Sequence, residues 1–264
     1  MLVETRVGRL FVDVAGEGDP LVLWPSLLTD GSMWRFQHGP LRERFQTITI
    51  DPPGHGRSGH VRRAFSLEDC ADAAREVLEA LEIAGPVDWA GLSWGGMTGM
   101  RFALRYPERV RRLALLDTSA AAESRRKLPS YHAMAFVARR AGAVKLLLDR
   151  IEPIFFTRES VRNRRDVVDP FRDQLARMDP PSIGHAVDAV IFHRKDIRPR
   201  VGAIQAPTLV LVGREDRATP PPRSREIVDR IPGARLVEVP AAAHLSALEQ
   251  ADEVTGHLLR HFAP

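Results

Sequence analysis

A serine in a glycine-flanked turn is the first feature of the 264-residue sequence that indicates chemistry. The segment Gly91-Leu92-Ser93-Trp94-Gly95 fits the pattern G-x-S-x-G and lies between an apolar run typical of a strand and a helical pattern. A tight strand–turn–helix connection of this kind exposes the serine hydroxyl, and the glycines let neighbouring backbone approach closely. Ser93 is therefore the predicted nucleophile of an acyl-transfer site.

A serine hydroxyl is a weak nucleophile at neutral pH and needs a base that is itself oriented by a carboxylate. His244 follows the last predicted strand, and Asp216 follows the strand before it. The order Ser, Asp, His along the chain is the one that accompanies the G-x-S-x-G turn. We predict that His244 is the base and Asp216 the acid, with Asp117 and Glu215 as alternative acids.

Acyl transfer also requires N–H donors that stabilise the negative oxygen of the tetrahedral intermediate. The backbone amide of Trp94, the residue after the predicted nucleophile, is one expected donor. The second is expected from the loop after the third strand, where Leu27 is the predicted residue. We predict that Leu28 and Trp34, which follow in the same region, line the substrate pocket.

Apolar runs typical of strands alternate with helical patterns in both the first and the last part of the chain. The predicted strands are residues 2–7, 10–15, 21–24, 47–50, 87–90, 110–116, 208–213 and 235–239. The predicted helices are residues 33–44, a segment that begins at Ser66, and residues 94–106, 222–230 and 245–262. This alternation indicates an α/β fold, with a mostly parallel eight-stranded sheet flanked by helices.

The strand pattern disappears between residues 120 and 200. Helix-compatible stretches are expected there at residues 131–151, 158–178 and 182–192, punctuated by Pro129, Pro153, Pro170, Pro180 and Pro181. The simplest organisation is one α/β domain, residues 1–119 and 201–264, interrupted by a helical cap insertion at residues 120–200. Because insertions at the strand ends of such sheets line the pocket, we expect the cap to cover Ser93 and to set substrate choice.

Several short motifs give the chain a family resemblance. They are Ser26-Leu27, Thr29-Asp30, Met33-Trp34, residues 51–58 (DPPGHGRS), residues 91–97 (GLSWGGM), residues 106–110 (YPERV), residues 213–216 (GRED) and Ala243-His244. The chain resembles the α/β-hydrolase fold, and its first 120 residues are most similar to 3-oxoadipate enol-lactonases and related small esterases. No H-E-x-x-H motif or His/carboxylate cluster accompanies Gly54-His55-Gly56, so we expect a structural turn there rather than a metal or phosphate site. The resemblance places this turn in a loop under the active site.

The residues and the resemblance together predict a carboxylic ester hydrolase that cleaves small or medium esters or lactones through an acyl-enzyme. No metal or organic cofactor is expected. Two other reactions would use the same triad: hydrolysis of a C–C bond, and perhydrolysis, in which peroxide replaces water. A non-catalytic ligand-binding module of the same fold is the alternative from a different functional class.

The composition is that of an ordinary globular protein, with 44% hydrophobic and 27% charged residues. A single cysteine, Cys70, excludes an intrachain disulfide framework and a multi-cysteine metal site. We find neither a signal-peptide pattern nor an apolar run long enough to span a membrane. We therefore expect a cytoplasmic protein that does not bind membranes, with a homodimer as one compatible assembly.

The net charge of +4 is distributed unevenly, because residues 119–200 carry a net +7 and the remaining residues a net −3. The basic residues are densest at residues 125–127, 139–140 and 162–165. No interleaved aromatic residues or nucleic-acid motif accompany them, so nucleic acid is not an expected partner. Two interpretations are left: a solvated helical surface rich in ion pairs, or a basic lid that steers an anionic ester to the site.

Overall fold

The computed structural model describes residues 1–141 and 145–263 and has one eight-stranded sheet at its centre. The strands are β1 (Leu2–Thr5), β2 (Gly8–Ala15), β3 (Asp19–Trp24), β4 (Phe45–Ile50), β5 (Val87–Leu92), β6 (Val110–Leu116), β7 (Thr208–Gly213) and β8 (Arg235–Val239). Their order is β1-β2-β4-β3-β5-β6-β7-β8. β2 is antiparallel to both of its neighbours, and the other neighbouring pairs are parallel. The predicted mostly parallel eight-stranded sheet is confirmed.

Helices cover the sheet and fill the interval between β6 and β7. They are α1 (Arg35–Arg42), α2 (Leu67–Ala80), α3 (Trp94–Arg105), α4 (Leu128–Ala141), α5 (Lys145–Phe155), α6 (Arg158–Asn163), α7 (Arg165–Arg177), α8 (Pro180–Val187), α9 (Pro221–Val228), α10 (Ser246–Glu249) and α11 (Ala251–Phe262). Every residue of β5 and of β7 is buried. Such strands are nearly continuously apolar because helices cover both faces of a parallel sheet.

The start of α2 shows how local sequence determines an element boundary. The Ser66 hydroxyl accepts a hydrogen bond from the Asp69 amide, and the Asp69 carboxylate accepts one from the Ser66 amide at 2.9 Å. This reciprocal pair satisfies two of the amides that a helix leaves free at its first turn. The helix start predicted at Ser66 is confirmed.

Several predicted helix boundaries were wrong. Residues 158–178 form two helices, because Arg164 has a non-helical backbone (φ −109°, ψ 64°). Residues 245–262 are likewise interrupted at Gln250 (φ −126°, ψ 59°). Pro153, expected between two helices, lies inside α5, and Pro170 lies inside α7. Apolar periodicity spans such single-residue changes of direction, so the pattern alone did not show them.

The predicted helix at 131–151 also differs from the structure. Two helices, α4 and α5, cover this region, and the prediction for residues 142–144 lies outside the described residues. At the other end of the interval, α8 begins at Pro180 and is followed by a π-helical turn, Asp188–Phe192. None of the helices in the described ranges combines the length and apolarity needed to cross a bilayer.

Some of the basic residues in this interval make ion pairs and hydrogen bonds. Arg164 pairs with Asp166 at 2.8 Å, and Arg172 pairs with the buried Glu152. The Lys127 ammonium donates to the backbone carbonyls of residues 217 and 218 at 2.8 and 2.9 Å. The side chain of Arg139 lies outside the described residues. These contacts favour the interpretation of an ion-paired helical surface.

Candidate active site

Ser93 lies in a tight turn between the end of β5 and the start of α3. Its φ of 53° and ψ of −105° are unusual for a residue with a side chain. A Cβ atom on Gly91 would lie 2.2 Å from the Gly95 carbonyl oxygen, and one on Gly95 would lie 2.0 Å from the Trp24 carbonyl oxygen. The close backbone contacts therefore require glycine at both positions, as the sequence pattern indicates.

Ser93, His244 and Asp216 come together although they are far apart in the chain. His244 Nε2 lies 2.9 Å from Ser93 Oγ, and His244 Nδ1 lies 2.9 Å from Asp216 Oδ2. All three side chains are buried. With Nδ1 protonated, the imidazole donates to the Asp216 carboxylate and presents the Nε2 lone pair to the Ser93 hydroxyl.

The Asp216 carboxylate is held by four donors. Oδ1 accepts the amides of Ala218 and Thr219 at 2.8 and 2.9 Å, and Oδ2 accepts the Thr219 hydroxyl at 2.9 Å as well as His244. Burial alone would raise the pKa of Asp216, but the neighbouring imidazole and these hydrogen bonds lower it below its ordinary value. Burial likewise opposes the charged form of His244, yet Asp216 raises the pKa of His244.

The two alternative acids do not contact the imidazole. Asp117 Oδ1 accepts the Gly213 amide at 2.8 Å, and its Oδ2 accepts the Ser246 amide at 3.2 Å and the Ser246 hydroxyl at 2.5 Å. Burial, together with the nearby negative charge of Asp216, raises the pKa of Asp117 to about 8. Glu215 is exposed. Asp117 thus connects the ends of β6 and β7 to the residues after His244.

The loop that carries Leu27 is held in place by a buried histidine. Leu28 has a φ of 64°, and its amide donates to His55 Nε2 at 3.1 Å, while His55 Nδ1 donates to the Pro53 carbonyl at 2.9 Å. Burial lowers the pKa of His55 to about 4, so the ring is neutral and Nε2 can accept. Within the described residues, the amides of Leu27 and Trp94 make no hydrogen bond.

A cavity of about 140 Å³ adjoins Ser93 and His244. Its wall is mostly apolar and comes largely from the helices between β6 and β7, with the residues Met134, Leu147, Ile151, Phe155, Leu175, Ile183, Val187 and Ile191. Leu27 and Leu28 also line it. The prediction for Trp34 was wrong: this side chain is fully buried and lies outside the cavity wall, because the short 3₁₀ turn Gly31–Trp34 directs it into the core.

Five polar residues of the cavity wall were not predicted as site residues: Ser26, Glu123, Tyr131, Arg194 and Thr219. The Ser26 hydroxyl is buried and has no hydrogen-bond partner among the described residues. Thr219 follows Asp216 by three residues, so its position near the acid is a local effect. Arg194 is part of the basic surplus of residues 119–200, where the sequence gives no means of separating it from the other arginines.

Comparison with known proteins agrees with this architecture. The family model described as "alpha/beta hydrolase fold" matches residues 19–251. The chain is 28% identical to a pimeloyl-[acyl-carrier protein] methyl ester esterase of Chromobacterium violaceum, over 96% of this chain and 98% of the relative.

Two solved structures show the same likeness over the whole fold. The enol-lactonase of Burkholderia xenovorans is 30% identical, with a TM-score of 0.92 and 99% of each chain covered. A thermophilic esterase of Thermogutta terrifontis is 28% identical, with a TM-score of 0.90, covering 98% of this chain and 96% of that one. The chain therefore belongs to the α/β-hydrolase fold family.

Proposed function

We propose that this protein hydrolyses small or medium carboxylic esters or lactones, with Ser93, His244 and Asp216 as its catalytic triad. The observation that carries the proposal is the chain of 2.9 Å contacts from Ser93 Oγ through His244 to Asp216, at one end of an apolar cavity. The likeness to an esterase and an enol-lactonase supports the same reaction class.

In this mechanism the Ser93 oxygen attacks the substrate carbonyl carbon while His244 Nε2 takes the hydroxyl proton. The Asp216 carboxylate holds Nδ1–H and stabilises the imidazolium that forms. The amides of Leu27 and Trp94 donate to the carbonyl oxygen as it becomes negative. His244 then gives its proton to the leaving alkoxide, which departs as the alcohol or, from a lactone, stays attached to the acyl group.

The acyl-enzyme is resolved by water. His244 Nε2 removes a proton from a water molecule, the hydroxide attacks the acyl carbon, and the proton returns to Ser93 Oγ as the carboxylic acid leaves. The cavity limits the group that can be held next to Ser93. A volume of about 140 Å³ is close to that of cavities that bind benzene, so acyl groups of roughly six to eight non-hydrogen atoms fit.

We further propose that residues 120–200 act as a cap that selects the substrate, because their helices form most of the cavity wall. We expect the preferred substrate to be uncharged, since the cavity wall is mostly apolar and Arg194, which lines it, is paired with Glu123. Raising the salt concentration from about 0.02 M to about 0.5 M should then change kcat/KM equally for a neutral and an anionic ester. A selective fall for the anionic ester would instead support the basic lid that the charge distribution suggests.

Ser93→Ala tests the proposed function directly. We expect hydrolysis of p-nitrophenyl butyrate to fall to the background rate while the circular dichroism spectrum stays native. Ser224→Ala is the matched control, because Ser224 is also fully buried but lies in α9, outside the cavity wall. A fluorophosphonate probe should label the wild-type protein and not Ser93→Ala. Absence of labelling in the wild-type protein would favour a ligand-binding module over an enzyme.

A further inference from the structure

The mostly apolar cavity wall contains a buried ion pair, Arg194 with Glu123. The side chains of Arg194 and Glu123 are 3% and 8% exposed, and Arg194 Nη2 lies 3.3 Å from Glu123 Oε2. Both residues line the cavity together with Tyr131. A charged pair is costly to bury unless its hydrogen-bonding groups are used. Its presence in the wall of a cavity next to Ser93 therefore calls for a functional explanation.

The hydrogen bonds of the pair leave donor capacity unused. Arg194 Nε donates to the Ala121 carbonyl at 2.8 Å, and Nη1 donates to the Val190 carbonyl at 3.0 Å. Nη1 also contacts the sulfur of Met97 at 3.3 Å, which is a weak acceptor. Since a guanidinium has five N–H groups, these contacts and the Glu123 contact leave at least one without a partner among the described residues.

The position of the pair relative to Ser93 follows from α3. The Met97 amide donates to the Ser93 carbonyl at 2.9 Å, so Met97 lies one helical turn, about 6 Å, beyond the predicted nucleophile. Arg194 contacts the end of the Met97 side chain. Ser93, Met97 and Arg194 line the same cavity, so an acyl group attached to Ser93 shares that space with the guanidinium.

We propose that Arg194 and Glu123 form a subsite for an uncharged oxygen, a carbonyl or hydroxyl, carried by the acyl group in the cavity next to Ser93. The inference rests on the proposed function, because it assumes that Ser93 carries the acyl group. We assign the enclosed cavity to the acyl part of the ester and not to the alcohol part, because the acyl part stays on the serine after the alcohol has left.

The charge of the Arg194–Glu123 pair determines which chemical group on the acyl chain can bind beside it. Arg194 and Glu123 together are neutral, and a carboxylate placed beside them would add a second negative charge near Glu123 in a wall of low polarity. A purely alkyl group would leave the free N–H of Arg194 without an acceptor. An uncharged oxygen accepts that N–H, and a hydroxyl can also donate to Glu123.

Three p-nitrophenyl esters of nearly the same shape test the subsite: 4-methylpentanoate, 4-oxopentanoate and the hydrogen succinate, which ends in a carboxylate. We expect the wild-type protein to have a higher kcat/KM for the 4-oxo ester than for the other two. The double variant Arg194→Met/Glu123→Gln removes both charges, so neither is left buried without its partner. It should lower the ratio of kcat/KM for the 4-oxo ester to kcat/KM for the 4-methyl ester by about tenfold. Preference of the wild-type protein for the 4-methyl ester, or an unchanged ratio in the variant, would overturn the proposal.

A matched double variant controls for the loss of a buried ion pair in general. Arg172→Met/Glu152→Gln removes another arginine–glutamate pair of the same helical interval, and neither residue lines the cavity. We expect it to leave the ester ratio unchanged, and an equal fall of the ratio would contradict a specific role of Arg194. If the wild-type protein instead prefers the succinate ester and Arg194→Met/Glu123→Gln loses that preference, the subsite binds a carboxylate and the proposed uncharged oxygen is wrong.

Binding can be measured independently of hydrolysis. With Ser93→Ala as background, calorimetric titration with the methyl esters of 4-oxopentanoic and 4-methylpentanoic acid should give tighter binding of the 4-oxo ester. Adding Arg194→Met/Glu123→Gln to Ser93→Ala should remove this difference in affinity. Equal affinities of Ser93→Ala for the two methyl esters would contradict the subsite. A wild-type protein that shows the difference in binding but hydrolyses no ester would contradict the proposed function and leave the subsite supported.

Discussion

The Ser93–His244–Asp216 cluster and the wall of the adjoining cavity are built in different ways. The cluster lies at the ends of β5, β7 and β8, and its side chains are joined by hydrogen bonds of 2.9 Å. The wall comes mainly from helices between β6 and β7 and is held by apolar contacts. Hydrogen bonds depend on direction and distance, whereas apolar burial does not. We therefore expect changes in the cluster to stop the reaction and changes in the wall to alter the substrate.

Several contacts join the two regions, among them those of the buried carboxylate of Glu249. Glu249 Oε2 accepts the amide of Ala243, the residue before His244, at 2.7 Å, and Oε1 accepts the amide of Thr157 at 2.8 Å. The Phe155 carbonyl accepts the Leu245 amide at 3.1 Å. The Phe155 ring, which lines the cavity, also packs nearly perpendicular to the His244 ring, with the ring centroids 5.3 Å apart. The position of the histidine is therefore coupled to the helices that form the wall.

The largest effect is expected from a change inside the cluster. Asp216→Asn should lower kcat by a factor of about 10³ to 10⁴, because an amide no longer fixes the imidazole with Nδ1 protonated or stabilises its charge. Asp216 raises the pKa of His244, and the base acts in its neutral form. Loss of the carboxylate should therefore move the acid limb of the kcat/KM profile to lower pH. The exposed Glu215 provides the control Glu215→Gln, and activity within tenfold of wild type in Asp216→Asn would contradict the assignment.

An intermediate effect is expected at the connection between the two regions. Glu249→Gln keeps the shape of the side chain but turns one acceptor into an NH₂ group, which cannot accept the amide of Thr157 or Ala243. We expect kcat to fall about tenfold with a smaller change in KM, since His244 is displaced from Ser93. Steady-state kinetics on p-nitrophenyl butyrate measure this. Asp252→Asn, at an exposed position three residues later, should have no effect, and an unchanged kcat in Glu249→Gln would show that Glu249 does not couple the two regions.

The smallest effect on the reaction is expected in the wall. Ile151 lines the cavity, and Ile151→Ala should extend the space available to the acyl group. Relative to the butyrate, kcat/KM for longer p-nitrophenyl esters should rise about fourfold for each methylene newly accommodated, while the butyrate itself is cleaved at a similar rate. Ile227→Ala, a buried isoleucine of α9 outside the wall, controls for loss of stability. The same chain-length profile in both variants would contradict a wall that selects by size.

The local sequence was sufficient to predict an element boundary where neighbouring residues determine the backbone conformation. The turn at Ser93 depends on glycines two positions before and after it, and the start of α2 depends on Ser66 and Asp69. The local sequence did not predict the helix breaks at Arg164 and Gln250, where one non-helical residue divides a continuous apolar pattern. The α-helical period persists across such a break, because the buried faces on its two sides still meet the same core.

The sequence by itself determined the eight-stranded α/β fold and selected Ser93, Asp216 and His244, since strand patterns and the residues at strand ends can be identified within short segments. Only the tertiary structure decided that Trp34 enters the core, that Asp216 rather than Asp117 contacts His244, and that Arg194 and Glu123 share the cavity wall. Arg194 and Glu123 are 71 positions apart. Side-chain contacts over such separations depend on how the helices pack on the sheet, and a pattern of residue types along the chain carries no record of that packing.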